Sequence, residues 1–266
     1  MKAAAFELAC PTDLAEASAL LAQPGARALA GGQSLGPMLN LRLVRPALLV
    51  QLSGVAALQG VQETAEAVTI GASVTHAAIA DGTVPDIGQN VLARVAEGIA
   101  YRAVRNRGTI GGSLAHADPA ADWVAVLPAL GGVAVALGPQ GERRLPLSSF
   151  VTGIFETALA ADEVLRAIEV PVLPSVARWG HWKFCRKIGE FSKATACVLS
   201  VPGAAPRAVL AALDGPPLVI EDASALLQDS ETEATRIVAT YPGLDDWRRA
   251  VALTALRHAV AAVKQS

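Results

Sequence analysis

Along the first fifty residues the apolar positions change rhythm. Leu14, Ala17, Leu20 and Leu21 recur at three- and four-residue spacing behind Asp13, a capping residue, so a helix is expected through Gln23, stopped by Pro24-Gly25. Residues 26–30 and 47–52 are instead short, mostly apolar runs interrupted only by Arg27 and Gln51, and read as buried strands. Strand, helix and strand in this order predict a small β-α-β unit with parallel strands.

Val68-Thr69-Ile70 reads as a further strand, after which Ser73 is expected to cap a helix through Ile79. Helical spacing returns over residues 89–99 and 120–130, before a strand at 133–137. Gly138-Pro139-Gln140-Gly141 makes a hairpin-type turn into residues 143–147, and residues 164–170 form another strand. Pro171 and Pro174 mark the clearest boundary. Beyond it the segments 181–184, 196–201, 209–213 and 218–220 resemble a small antiparallel sheet. Two helices close the chain, the last with Val251, Ala255, Ala259 and Val263 on one face.

Composition removes several function classes. A chain of 266 residues, 52% apolar, can bury a substantial core, and its net charge of −2 without a basic cluster argues against nucleic acid or an electrostatic membrane anchor. No segment supplies the roughly 18 uninterrupted apolar residues of a membrane span. Glu7, Asp13 and Glu16 interrupt what a secretory leader requires, so a mature cytoplasmic chain is expected. Cys10, Cys185 and Cys197 are dispersed, which excludes a disulfide framework, a structural zinc site or an iron–sulfur cluster held by this chain alone. His76, His116, His181 and His258 are scattered and are read as structural or exposed.

Two glycine segments carry the candidate chemistry. Leu29-Ala30-Gly31-Gly32-Gln33-Ser34-Leu35 runs from a buried strand into paired glycines, which either form a tight turn or let backbone N–H groups converge on a phosphate. Gly108-Thr109-Ile110-Gly111-Gly112-Ser113-Leu114 reads as a small-residue turn ahead of a helix, whose amides favour an anion. Asp118 and Asp122 follow, suited to sugar or ribityl hydroxyls or to helix capping. Neither the G-x-G-x-x-G fingerprint nor the phosphate-binding G-x-x-x-x-G-K-[ST] loop is present, so a site assembled between two subdomains is favoured over a dinucleotide-binding Rossmann unit or an NTPase.

Ala30-Gly31-Gly32-Gln33-Ser34-Leu35, together with Thr109-Ile110-Gly111-Gly112-Ser113 and Ala117-Asp118-Pro119, resembles the double signature of the FAD-binding medium subunits of the xanthine dehydrogenase and carbon monoxide dehydrogenase family. Arg186-Lys187-Ile188-Gly189-Glu190-Phe191 resembles a segment these subunits carry after the domain boundary, and Asp246-Trp247-Arg248-Arg249 resembles part of their closing helix. The resemblance implies an α+β fold. Residues 1–172 would form an FAD-binding region of the vanillyl-alcohol-oxidase (PCMH) type, with subdomains at about 1–56 and 57–172, and residues 173–266 a C-terminal domain with a three-stranded antiparallel sheet and helices.

The resemblance further implies that Leu29 to Leu35 and Thr109 to Ser113 bind FAD, with Asp118 and Asp122 near its hydroxyls, Leu165 giving backbone contacts, and Lys187 and Phe191 near the flavin. A cation there would stabilise an anionic reduced flavin. No catalytic or metal-binding residue is implied for this chain. Gln33 replaces a usual His or Thr, so FAD is expected to be noncovalent, while Gly36 and Phe191 replace an aliphatic residue and a Tyr. The implied role is electron transfer inside a molybdenum hydroxylase, a dimer of heterotrimers. A large subunit would hold the molybdenum-pterin, a small one the 2Fe–2S clusters, and NAD, a quinone or oxygen would take the electrons. A stand-alone FAD-dependent oxidase or reductase is the alternative, and a scaffold subunit with a decayed flavin site the third reading.

Overall fold

The computed structural model describes residues 2–265. Its first part contains β1 (Glu7–Ala9), α1 (Leu14–Leu21), β2 (Ala26–Leu29), α2 (Leu35–Asn40) and β3 (Leu48–Gln51), with the strands in the order β1-β3-β2. Both pairings are parallel, as the crossover through α1 requires. The Asp13 carboxylate caps α1 by accepting from Glu16 N at 2.8 Å. Strand β3 is central and buries Leu48, Leu49 and Val50, whereas β1 is short and largely exposed, which left no sequence pattern to read.

The second part holds β4 (Val61–Glu63), β5 (Ala67–Gly71), α3 (His76–Ala80), α4 (Val91–Glu97), α5 (Arg102–Arg105), α6 (Ile110–His116) and α7 (Asp122–Ala129). It continues with β6 (Val133–Gly138), β7 (Gly141–Pro146), the small hairpin of β8 (Val151–Gly153) and β9 (Glu156–Thr157), and β10 (Val164–Pro171). A five-stranded antiparallel sheet runs β4-β5-β10-β6-β7, with β10 in the middle. The register of β10 against β6 slips between Leu165 and Ala167, a bulge that re-aims the strand beside the cleft described below. The cap of α3 is Thr75, whose Oγ1 accepts from Ala78 N at 3.1 Å, and not the expected Ser73. Thr75 also bridges to Thr109, so a contact distant in sequence chose between two competent caps.

In the third part β11 (Arg178–Phe184), β12 (Ala194–Ser200), β13 (Arg207–Ala211) and β14 (Leu218–Ile220) pair antiparallel in chain order, followed by α8 (Ser224–Gln228), α9 (Ser230–Ala239) and α10 (Asp246–Gln265). The sheet therefore has four strands and not the three implied by resemblance, because residues 218–220 complete the free edge of β13. Alternation sorts its two faces. Cys197, Leu199, Val209 and Ala211 join the core of the preceding parts, while Ala196, Val198, Ala208 and Leu210 join Ala252, Ala255, Leu256 and Ala259 of α10. Helix α7, buried at every position, packs against β12 and β13 from the first side. Among the described residues no helix is long and apolar enough to cross a membrane.

Candidate functional site

A cleft of about 650 Å³ opens where the three parts meet. Its size suits a cofactor-sized ligand. The first glycine segment forms one wall: β2 ends at Leu29, Gly32 turns the chain with φ +70°, and Leu35 begins α2. That φ favours glycine, since an L-residue there is strained. Among the described residues none accepts from the amides of Gly32, Gln33 or Ser34. The Gln33 side chain donates instead to Gly31 O at 3.2 Å. Amides without a protein acceptor behind a left-handed glycine are available to an anion such as the pyrophosphate of a dinucleotide.

The second segment is built differently from its sequence reading. Gly111, Gly112 and Ser113 are not a turn ahead of a helix but the first turns of α6 itself, with Thr109 as N-cap. Its amides are already used: Ile110 N donates to Val74 O, Gly111 N to Ala72 O at 2.9 Å, and Gly112 N to Thr109 Oγ1 at 3.0 Å. This motif supplies a close-packed floor and the Ser113 side chain, which also lines the cleft. The two segments touch. A Cβ on Gly31 would lie 2.0 Å from Arg107 O, so glycine is what lets them meet.

At another wall, Asp122 opens α7 and is 8% exposed. Its Oδ1 accepts from Lys183 Nζ at 2.7 Å, and Lys183 also donates to Gly98 O at 2.8 Å, tying β11 to the loop after α4. His181 Nε2 lies 3.9 Å from the same carboxylate oxygen and has no hydrogen-bond partner. Burial holds the His181 imidazole neutral by pushing its pKa down to about 4. Lys183, positioned by a buried carboxylate, thus brings a cation to this wall of the cleft, while Arg27 lines it from β2.

The cleft brings together Ala30, Gly31, Gly32, Gln33, Ser34, Leu35, Thr109, Gly111, Gly112, Ser113, Asp118, Asp122, Leu165 and Phe191. Leu29, Ile110 and Lys187 do not line it. Ile110 is fully buried beneath the floor, and Lys187 is exposed in the loop that leaves β11. Sequence reasoning passed over Lys183. The signal was present, since strand alternation puts Trp179, His181 and Lys183 on one face of β11, opposite Trp182 and Phe184. Asp118 is occupied as a local cap, its Oδ1 accepting from Ala120 N at 2.9 Å. Phe191 stands 62% exposed at the mouth, beside Ser192, whose hydroxyl donates to Ala120 O.

Comparison with known proteins agrees with this architecture. A family model described as "FAD binding domain in molybdopterin dehydrogenase" matches residues 4–173. The chain is 36% identical over 248 residues to the 6-hydroxypseudooxynicotine dehydrogenase complex subunit alpha of Paenarthrobacter nicotinovorans, covering 90% of this chain and 83% of that one. It is 37% identical over 196 residues to the carbon monoxide dehydrogenase medium chain of Hydrogenophaga pseudoflava, covering 73% and 68%. Among solved structures, a chain of the Cu,Mo carbon monoxide dehydrogenase in its cyanide-inactivated form superposes with a TM-score of 0.91 at 30% identity, over 100% of this chain and 99% of that one. A chain of quinoline 2-oxidoreductase from Pseudomonas putida 86 gives 0.87 at 32% identity, with the same coverage. A glycine-walled cleft of cofactor size, on a chain similar throughout to these oxidoreductase subunits, places the protein in the family of FAD-binding medium subunits of molybdenum hydroxylases.

Proposed function

We propose that the chain relays electrons within a heterotrimeric molybdenum hydroxylase in the cytoplasm, taking them from 2Fe–2S clusters on a small subunit and delivering them to an external acceptor such as NAD, a quinone or oxygen. A large molybdenum-pterin subunit would oxidise the organic substrate, and two heterotrimers would pair. Residues 1–172 would serve as the flavin-binding region and 173–266 as the domain that closes it. The observation that carries the reading is that Gly32, Gln33 and Ser34, whose amides have no protein acceptor, line the same cleft as the Lys183–Asp122 pair.

FAD, when bound, supplies the one- and two-electron chemistry, while the chain supplies placement and electrostatics. The Gly32–Ser34 amides would hold the pyrophosphate, aided by the Ser34 and Ser113 side chains. Lys183 would place a positive charge beside the ring system, kept in position by Asp122. The cysteines do not gather into a cluster: Cys10 is exposed, Cys185 half-buried and Cys197 buried. This supports an electron source on a partner chain.

Purified alone, the chain should be yellow, release all of its flavin on acid precipitation, and be reduced by dithionite. Purines, carbon monoxide, aldehydes and N-heterocycles should leave it oxidised until the large and small subunits are added. Reduction of the isolated chain by one of those substrates at a catalytic rate would replace this reading with a stand-alone oxidase.

A further inference from the structure

One buried titratable side chain on the cleft wall has no part in the reading above. His76 opens α3 and is 5% exposed. Its Nδ1 accepts from the indole Nε1–H of Trp123 at 3.2 Å, inside the protein. An indole nitrogen only donates, so Nδ1 carries no proton. Burial, reinforced by the Arg105 guanidinium, lowers the imidazole pKa to about 4. At neutral pH the ring is uncharged, and its single proton sits on Nε2.

Among the described residues none accepts from that Nε2–H, and the atom is not sealed inside the core. It opens on the space beside it, which is the cleft. Gly108 keeps the way clear: a Cβ at that position would lie 3.1 Å from Nε2 and 2.9 Å from Cδ2. The backbone fixes the ring as well, because His76 N donates to Gly108 O at 2.9 Å. A donor with one available proton, a determined tautomer and a fixed direction is preorganised for a single acceptor.

We propose that His76 is a cofactor-binding residue, a neutral imidazole locked by Trp123 into the Nε2–H tautomer, which donates a hydrogen bond to an oxygen acceptor of the dinucleotide in the cleft. The inference rests on the FAD reading and goes beyond it, since it assigns a donor that is neither on a glycine segment nor charged. A neutral donor selects for a lone pair without demanding a negative charge, which suits a hydroxyl or ring carbonyl as well as a phosphate oxygen.

The test uses the full-length chain with 15N-labelled histidine and FAD as the probe. Wild type should show Nδ1 unprotonated and Nε2 protonated, and FAD should shift the Nε2 resonance. His76→Phe should weaken FAD binding by about tenfold, the worth of one hydrogen bond. Trp123→Phe, which leaves the histidine in place, should allow both tautomers and weaken binding by a smaller factor. Protonated Nδ1 in wild type, an Nε2 resonance indifferent to FAD, or wild-type affinity in folded His76→Phe each overturns the assignment while leaving the flavin reading intact. If His76→Phe does not fold, the wild-type resonances and Trp123→Phe decide the matter. A wild-type chain that binds no FAD overturns both.

Discussion

Replacing Gly31 by Ala asks whether the two glycine segments must touch for the cleft to hold its cofactor. The added Cβ would lie 2.0 Å from Arg107 O, 2.7 Å from Arg107 C and 2.8 Å from Gly108 Cα, all of them backbone. Ordinary contact begins at 3.4 Å, so the carbonyl must withdraw by about 1.4 Å. It cannot withdraw alone, because Gly108 N donates to Val104 O at 2.8 Å and Gly108 O accepts from His76 N. Overpacking of this kind costs roughly 1 to 3 kcal/mol, which lowers Tm by about 3 to 10 °C in a chain of this size. Displacing the neighbouring amides by about 1 Å would weaken one or two charge-assisted hydrogen bonds, a loss of roughly a hundredfold in FAD affinity. Gly36→Ala is the control five residues away, with nothing within 4 Å of its Cβ and a place inside α2, where Ala is favoured by roughly 0.8 to 1 kcal/mol. Fluorescence titration with FAD and thermal denaturation measure both effects. Wild-type affinity and Tm in Gly31→Ala would show that the segments need not meet.

Lys183→Met strands the Asp122 carboxylate, whose side chain is only 10% exposed, and should cost on the order of 3 kcal/mol in urea unfolding. Adding Asp122→Asn should recover part of that loss, whereas strictly additive costs would mean that the two groups are not coupled. Acid should weaken the fold through its buried histidines. His76 and His181 are each lowered to about 4 from 6.5, so the unfolded chain takes up protons first as pH falls. Their contribution is intact above pH 6.5, is lost between 6.5 and about 4, and levels off below. His181→Gln should flatten part of the slope of urea midpoint against pH over that window, and an unchanged slope would contradict a neutral, buried His181.

The elements that were legible in the sequence are those with repeated apolar positions or an unambiguous punctuation residue. The helix after Asp13, the strands around Val50 and Ile168, and the Gly138–Gly141 hairpin are of this kind. The short strands β1, β4, β8 and β9 span two or three residues each and have no period to detect. The glycine segments announced themselves, but their division of labour did not. Whether the α6 amides are free depends on Ala72 and Val74, more than thirty residues earlier, and no local pattern encodes that pairing. Lys187 was the more conspicuous lysine because it sits in a recognisable segment. Lys183 reaches the cleft because its Nζ is drawn across to Asp122 at the start of α7 and to Gly98 O, contacts more than sixty residues away in sequence.

Helix α7 begins at the cleft with Asp122 and spends the rest of its length buried against β12 and β13, so a single rigid rod belongs to two neighbourhoods. Free energy released at one end is therefore felt at the other. A ligand present at 100 times its Kd adds about 2.7 kcal/mol to the folded state. That increment should slow hydrogen exchange at amides of β12 and β13 that open only on global unfolding, as well as at those beside the cleft. Loss of the flavin should then raise the protease susceptibility of α7 and the strands behind it, and not only of the glycine segments.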